Sequence, residues 1–388
     1  MERVAVSRFP FIRPDVPPIA SWAPILEEAY RAGRYTNFGP LSRRLEAHVA
    51  TTWGDAEAVC VAASSGTAAI AAPLIASGVT GRVILPAFTF AATLAAVRMA
   101  GAEPFLVDVD PTDWRIAPET LAEALRVTGT RSAVVLCPFG IRSDFRAHAA
   151  IVGARGGVLV VDDAAGIGAD RRPVPIAPHT FEACSLHATK PFAVGEGGVI
   201  LAHRSREAAL RRALNFGLDP ASPADLDGWG INGKLSELHA AVGLAAAVGF
   251  DDRLARRRGL ARRYIHAVAP LPGIVIETDP HAAGWQFFPM LLPHAEAATR
   301  FIAAAAARGM ETRRYYAPAL SAGTDVDRLG SCPVAEDLAA RMCCVPVYAT
   351  LTDAEADAMV AIVADSLAEA LGHARGRAPG SAAGSPGR

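Results

Sequence analysis

Lysine is almost absent from this chain. Of its 38 lysine and arginine residues, only Lys190 and Lys234 are lysine. Because arginine fills nearly every solvating role, a retained lysine predicts a position where an amine is required. A guanidinium stays protonated and cannot form an imine, whereas a lysine amine can. Chance retention on a solvated surface is the alternative explanation for either residue.

Concentrated charge of one sign and long apolar runs are also missing. The net charge is −1 and no basic cluster with interleaved aromatics occurs, which argues against nucleic acid and anionic membranes as partners. Charges and prolines interrupt residues 1–15 before the apolar segment of a signal peptide forms. No stretch reaches the roughly 18 apolar residues of a membrane span. We therefore expect a cytoplasmic protein with no membrane partner.

The cysteine pattern excludes two further classes of protein. The six cysteines form no CxxC pair and lie mostly among apolar residues, so neither a zinc site nor a disulfide framework is expected, and no metal is predicted. Aromatic residues make up only 7% of the chain and apolar residues 51%, so the core must consist largely of Ala, Val, Leu and Ile. A length of 388 residues favours two unequal lobes.

Short apolar runs alternate with helix-length segments in the first half of the chain. The runs are AVCVAA, RVILPAF, EPFLVDV, AVVLCP and GVLVVDDA. This alternation predicts an α/β fold with a mostly parallel, doubly wound sheet. Two further runs, EACSLH and GVILAH, are separated by a turn that is too short for a helical crossover, so a local antiparallel pair is expected there.

A change of pattern near Gly249 predicts the boundary between a large and a small domain. One long helix is expected from Lys234 to about Tyr264, where the chain leaves the first lobe. The tail is rich in Gly, Ala, Ser and Pro and has little to bury. The predicted units are an N-terminal arm (1–20), a large cofactor-binding domain (21–249), a smaller C-terminal α+β domain (250–371) and a disordered tail (372–388).

The small domain has its own strand and helix signals. Strands are expected at GIVIET and at WQFFPMLL, and helices over Ala295 to Arg308 and over Asp353 to Leu371.

Acidic residues stand at the end of one predicted strand, and Lys190 follows about one strand-loop unit later. The run VLVV ends in Asp162 and Asp163, at the carboxyl edge where open α/β sheets build their sites, and alternation sends the two carboxylates to opposite faces. A cofactor that stores carbanion charge in a pyridinium ring needs an amine for an imine and a carboxylate for its ring nitrogen. Asp163 and Lys190 are the candidates, although an acid at a strand end, taken alone, is more often a helix cap or a loop anchor than a catalytic residue.

Two other segments reach the same sheet edge. The segment from Ser64 to Thr67 opens an Ala-rich helix, so its free amides and hydroxyls would face an anion such as a phosphate, although an ordinary helix cap without a ligand is the better explanation of this segment taken alone. Aromatic residues after the next run, Phe88 and Phe90, offer a ring that could stack on a planar cofactor or simply fill the core.

Taken together and in this order, these segments resemble the DegT/DnrJ/EryC1/StrS family of pyridoxal-phosphate (PLP) dependent aminotransferases, which act mostly on nucleotide-linked sugars. The resemblance covers nearly the whole chain and implies the type I aminotransferase fold. The landmarks are TNFGP (Thr36 to Pro40) with the following Leu45-Glu46, SSGTAAI, PAFTFAAT, GAEPFLVDVD, VVDDAAG, SLHATK with GEGG, and GINGKLSELHAA.

The resemblance implies a role for each matching residue. Lys190 would form the Schiff base with pyridoxal 5'-phosphate, Asp163 and not Asp162 would pair with the pyridine nitrogen, and Phe90 would be the stacking ring. The phosphate would be held by Gly66, Thr67 and Ser185. Asn232 would reach the phosphate of a neighbouring subunit, which implies a homodimer with active sites shared between subunits.

Two positions depart from the family pattern. Gly166 stands where many members have a glutamine that hydrogen-bonds the cofactor's ring oxygen. Lys234 stands where arginine is common, so a bidentate carboxylate fork is lost although contact with an anionic donor or substrate is retained. His187 is readable either as a site residue or as a packing residue beside the lysine.

The implied reaction moves an amino group from an amino acid donor, L-glutamate, to a keto group of a nucleotide-linked sugar. A relative that aminates a cyclitol, or that dehydrates or aromatises a cyclic ketone, is the rival within enzymology, although the retained lysine favours transamination. A catalytically silent binding subunit is the rival from another class, and the intact Lys190 and Asp163 argue against it.

The substrate itself has no readable code. Candidate substrate residues are Tyr35, Lys234, Arg313 and Tyr315, and the candidate surfaces include the loop from Phe139 to Arg142 and the segment from Arg313 to Tyr316. Arg313 either meets a diphosphate or faces water.

Overall fold

In the computed structural model of this chain, residues 7–170, 173–219 and 228–372 are described. Nearly all of the predicted disordered tail (372–388) lies outside these residues. Within them, no helix is long and apolar enough to cross a membrane.

A seven-stranded sheet organises the first half of the chain. Its order is β1-β7-β6-β5-β4-β2-β3, and every neighbouring pair is parallel except the two that involve β7. The mostly parallel α/β sheet and the local antiparallel pair are therefore confirmed. The strands are β1 (Ala58–Ala63), β2 (Arg82–Pro86), β3 (Glu103–Val107), β4 (Ala133–Leu136), β5 (Leu159–Asp162), β6 (Thr180–Ser185) and β7 (Gly198–His203).

Helices cover both faces of this sheet, because its strands are apolar on both sides. Val61 and Ala183 share a core with Ala69 of α3, whereas Cys60 and Cys184 share a separate core with helices α2 and α8 on the opposite face. These helices are α1 (Ile19–Arg31), α2 (Pro40–Trp53), α3 (Gly66–Ala76), α4 (Ala91–Met99), α5 (Pro118–Thr128), α6 (Arg146–Gly153), α7 (Glu207–Ala213) and α8 (Glu237–Ala247), with 3-10 turns at Pro138–Gly140 and Arg204–Arg206.

The rest of the chain builds a second, antiparallel sheet of order β8-β10-β9. Its core is centred on Trp285 and Phe288 and includes Phe9 from the amino-terminal arm. The helices predicted at Ala295 and Asp353 are both present. The elements are α9 (Phe250–Val268), β8 (Phe287–Leu291), α10 (Ala295–Ala307), β9 (Arg313–Arg314), α11 (Leu320–Gly323), α12 (Pro333–Arg341), β10 (Met342–Pro346) and α13 (Asp353–Ala370).

Two secondary-structure predictions for this region are wrong. The single long helix is two helices, α8 and α9, because the chain breaks at Val248 and at Gly249, whose φ of 67° lies in the left-handed region that favours glycine. The run GIVIET forms no strand; it contributes one isolated bridge, between Val275 and Leu291. The domain limits themselves stay a prediction.

A buried carboxylate, that of Glu237, binds the backbone next to the TNFGP motif (Thr36 to Pro40). Glu237 is fully buried, and its oxygens accept from the Leu41 amide at 2.7 Å, the Ser42 amide at 3.0 Å and the Ser42 hydroxyl at 2.6 Å. It thereby caps the amino terminus of α2 from α8, where free amides favour a negative charge. A Cβ at Gly39 would lie 2.5 Å from the Glu237 side chain, so glycine is needed there.

Replacing Glu237 by alanine is expected to lower the free energy of unfolding by about 3 kcal/mol, because buried donors lose a charged acceptor. Urea unfolding would measure the loss. The matched control is Glu27→Ala, which removes an exposed carboxylate paired with Arg31 at 2.8 Å and should cost less than about 1 kcal/mol. Equal midpoints for the two variants would contradict the capping role.

Candidate active site

A cavity of ≈ 390 Å³ opens at the carboxyl ends of β1, β4, β5 and β6. This is the edge at which the sequence predicted a site. Most of the predicted site residues line it: Gly66, Thr67, Phe90, Ser185, Lys190, Arg313 and Tyr315. The structure thus brings together residues that are up to 249 positions apart, between Gly66 and Tyr315.

Lys190 follows β6 on the short turn that returns to β7. Its Nζ donates a hydrogen bond to Oε1 of Gln286 at 2.8 Å. Burial lowers the pKa of its amine to about 8, although the negative charges of Asp162 and Asp163 act in the opposite direction. A pKa near 8 leaves roughly a tenth of the amine neutral at pH 7, against less than a thousandth for an unperturbed lysine. The residue is therefore prepared to act as a nucleophile.

The two carboxylates at the end of β5 lie on opposite faces, as alternation predicts. Asp162 lines the Lys190 cavity, and its Oδ2 accepts from the Thr93 hydroxyl at 2.7 Å. Burial raises the pKa of Asp162. Asp163 instead lines a separate cavity of ≈ 280 Å³ on the α8 face, where its carboxylate lies within 4.8 Å of ligand atoms of Glu182 and Cys184.

Gly166 permits the present orientation of Asp163. A Cβ built on Gly166 would overlap the Asp163 carboxylate, so any larger residue would displace it. The sequence resemblance assigned the pyridine nitrogen to Asp163, whereas the carboxylate that faces the Lys190 cavity in the structure is that of Asp162. The assignment to Asp163 stays a prediction, and it requires the Asp163 side chain to turn toward the cavity.

A candidate anion-binding site, termed the anion seat, lies at the amino terminus of α3. Ser65 caps this helix by accepting from the Ala68 amide at 3.1 Å, and Ser65, Gly66, Thr67 and Ser185 line the cavity together. A Cβ on Gly66 would lie 2.8 Å from that of Ser185, so only glycine leaves the helix terminus open beside this hydroxyl. Free amides, hydroxyls and the helix dipole favour a phosphate here. The donors present therefore fit the phosphate of a PLP cofactor.

Aromatic rings form the opposite wall. Phe90 is 55% exposed and its ring centroid lies 6.4 Å from that of Tyr315, which in turn stacks on Phe287 at 5.1 Å. The guanidinium of Arg313 lies 5.0 Å above the Phe11 ring. An exposed ring above a seat for a planar group fits stacking, while Arg313 brings a positive charge to the same wall.

Besides Asp163, three predicted site residues do not line the cavity: Asn232, Lys234 and Tyr35. Asn232 accepts a hydrogen bond from Lys234 Nζ at 2.7 Å, and that amine lies 4.3 Å above the Phe216 ring. The segment that contains Asn232 and Lys234 pairs with the end of β1 through a bridge between Ala63 and Lys234. This segment therefore lies next to the anion seat but outside the cavity. Tyr35 is 52% exposed and also lies outside the cavity lining.

Tyr316, from the predicted segment Arg313 to Tyr316, also lines the cavity. Sequence reasoning missed two side chains of the site: Gln286, which lines the cavity from just before β8, and Thr93, which supports Asp162 from the first turn of α4. The only sequence signal for Gln286 was a single amide within an apolar run, which does not reveal a partner 96 positions away. The loop residue Arg142 pairs with Asp279 at 2.8 Å.

A buried amine, an exposed aromatic ring and the open amides of a helix thus meet at one edge of a mostly parallel sheet, which fits a PLP-dependent aminotransferase. The chain belongs to the DegT/DnrJ/EryC1/StrS aminotransferase family, which it matches over residues 21–364.

Similar proteins share most of the chain. The protein Rv3402c of Mycobacterium tuberculosis is 29% identical over 93% of this chain and 90% of its own length. The dTDP-4-amino-4,6-dideoxy-D-glucose transaminase of Shigella dysenteriae is 26% identical over 88% of this chain and 94% of its own. The crystal structure of DesI with its TDP-sugar product superposes with a TM-score of 0.81 at 28% identity, covering 94% of this chain and 95% of DesI.

Proposed function

We propose that this enzyme moves an amino group from L-glutamate to a keto group of a nucleotide-linked sugar. The observation that carries the proposal is the Lys190 amine, with a pKa of about 8, in a cavity that ends at the anion seat of α3. The nucleotide-sugar class is supported by two relatives, one named for a dTDP-linked amino sugar and one crystallised with a TDP-sugar product.

The bound cofactor supplies an aldehyde for imine formation and a ring that accepts electrons. Lys190 contributes the amine. When its amine is free, Lys190 would act as a base, and a pKa of about 8 suits proton transfer near neutral pH. Because Lys190 occupies the same position in both half-reactions, it can remove a proton from the donor in the first and return a proton to the product in the second.

The other roles follow the geometry and the resemblance. Gly66, Thr67 and Ser185 would hold the cofactor phosphate, Phe90 would stack on its ring, and Asp163 would serve the ring nitrogen after its side chain turns. Arg313 and Tyr315 line the same cavity and would contact the substrate.

We also propose a homodimer in which Asn232, beside Lys234, reaches the phosphate of the partner's site, with Tyr35 on the same outer surface. Apolar side chains exposed on the chain support an interface: Tyr30 (70%), Tyr35 (52%), Phe216 (49%), Trp229 (66%), Leu238 (43%) and Val248 (76%). Analytical ultracentrifugation would test the dimer, since a monomer at micromolar concentration would contradict it.

We also propose a cytoplasmic location. All six cysteines are free and buried, which supports this proposal.

A substrate panel tests the proposed function. With 15N-labelled glutamate as donor, we expect transfer of label to nucleotide-linked keto sugars and little to free cyclitol ketones or other cyclic ketones. Mass spectrometry of the products would also detect dehydration or aromatisation without label. Label found only in a cyclitol product, or no transfer to any sugar nucleotide, would overturn the sugar assignment while leaving the cofactor chemistry intact.

A further inference from the structure

Gln286 is a buried amide in an apolar environment. It precedes β8 within the run from Trp285 to Leu292 and is only 8% exposed. An amide in such a place is costly to bury unless its donor and acceptor atoms are both used. Both are used: Oε1 accepts from Lys190 Nζ at 2.8 Å, and Nε2 donates to Thr189 Oγ1 at 3.1 Å.

The neighbouring groups fix which way this amide points. Nδ1 of His187 accepts from the Thr189 backbone amide at 3.3 Å, so Nδ1 carries the lone pair. The Thr189 hydroxyl, 2.9 Å away, must then donate its proton to Nδ1. The oxygen of that hydroxyl is left to accept from Gln286 Nε2, and Gln286 Oε1 therefore faces Lys190.

We infer that Gln286 is a positioning residue that holds the Lys190 amine in place and stabilises its protonated form through the amide carbonyl. The inference rests on the proposed role of Lys190. It adds that the second lobe supplies a fixed acceptor for the amine, so that a side chain with many rotamers is presented to the cavity in one orientation. A hydrogen bond from a charged donor is stronger than one from a neutral donor, so the carbonyl opposes the effect of burial.

The effect of Gln286 can be separated from the charges around it. Burial lowers the pKa of Lys190, and the charges of Asp162, Asp163 and Cys184 raise it. The other ionisable groups of the cavity wall are His187, Glu196, Arg313, Cys137, Tyr315 and Tyr316. Gln286 itself does not titrate, so substituting it changes its hydrogen bonds to Lys190 and Thr189 without removing any of these groups.

The test measures the reactivity of Lys190 in the cofactor-free protein. Brief labelling with acetic anhydride across a pH series, followed by peptide mass spectrometry, gives the pH at which the amine becomes reactive. Only two lysines occur, so Lys234 serves as an internal reference in each sample. We expect Gln286→Met to lower the midpoint of Lys190 by about half a pH unit, a threefold change in ionisation constant. Gln286→Glu, which keeps an acceptor and adds a charge, should raise it by at least as much.

Opposite shifts in the two variants, with Lys234 unchanged, would support the inference. Unchanged Lys190 midpoints in both variants, or shifts of the same sign, would overturn it, since loosened packing alone would move both alike. If Gln286→Met does not fold, Gln286→Leu takes its place as the neutral variant without an acceptor, and an unchanged Lys190 midpoint in it would overturn the inference. Because labelling needs no cofactor, shifted midpoints in a protein that never forms an imine would overturn only the proposed function.

Discussion

A Lys190→Ala variant is expected to lose more than about 10³-fold of the transamination rate, because it lacks both the nucleophile and the base. The visible absorption band of the cofactor imine should also be absent. The measurement is the rate of amino transfer from glutamate together with the spectrum of the reconstituted protein. In the unsubstituted protein, borohydride should bleach the band and leave a reduced adduct on the peptide that contains Lys190.

Two further variants separate the possible causes of this loss. Lys190→Arg keeps a positive charge but cannot form an imine, so it should behave like Lys190→Ala. Arg126→Ala alters an exposed side chain of α5 that pairs with Glu123 at 2.7 Å, and it should retain both the band and the rate. A Lys190→Ala protein that kept the band, or more than about a tenth of the rate, would remove the basis of the proposed chemistry.

The second large effect is expected at the end of β5, where Asp163→Asn should slow transamination by about 10²–10³-fold. Removing one member of a buried charge pair costs about 3–5 kcal/mol, and each 1.4 kcal/mol is a factor of ten in rate. Here the partner left without its carboxylate would be the protonated ring nitrogen of the cofactor. Single-turnover kinetics would measure the loss apart from cofactor binding.

Asp162→Asn is the matched control, since it makes the same change one residue earlier. It removes the carboxylate with the larger influence on Lys190, so we expect the pKa of that amine to fall below its value of about 8. A larger fraction of the Lys190 amine would then be neutral below pH 8, whereas the rate of transamination above pH 8 should change little. If Asp162→Asn were instead the variant with slow transamination, Asp162 would be the residue that pairs with the ring nitrogen of the cofactor.

Alternation along β5 was enough to predict that the two carboxylates point to opposite faces, but not which face holds the cavity. That depends on strand register. Asp162 pairs with Ala183, two residues before Ser185, so Asp162 shares the face of the Ser185 hydroxyl and the anion seat. A pairing register is a long-range property that no local pattern encodes.

Other differences have similar causes. Composition predicted helix across Val248 and Gly249, because the surrounding residues favour it. The break depends on the left-handed backbone of Gly249, which composition does not reveal. The strand predicted at GIVIET was reduced to one bridge, between Val275 and Leu291. Motif order, by contrast, located Gly66, Ser185 and Lys190 at one sheet edge, since parallel strands bring their carboxyl ends together.

The segment around Phe9 completes a core that is formed mostly by residues far along the chain. The Phe9 amide donates to the Gly309 carbonyl at 2.9 Å, and the Phe9 ring belongs to the core around Trp285. During synthesis Phe9 leaves the ribosome roughly 300 residues before Gly309, on the order of 15–60 s earlier at 5–20 residues per second. Until Gly309 has been made, Phe9 lacks these contacts, so a chaperone that binds exposed apolar segments of a nascent chain should raise the yield of active enzyme.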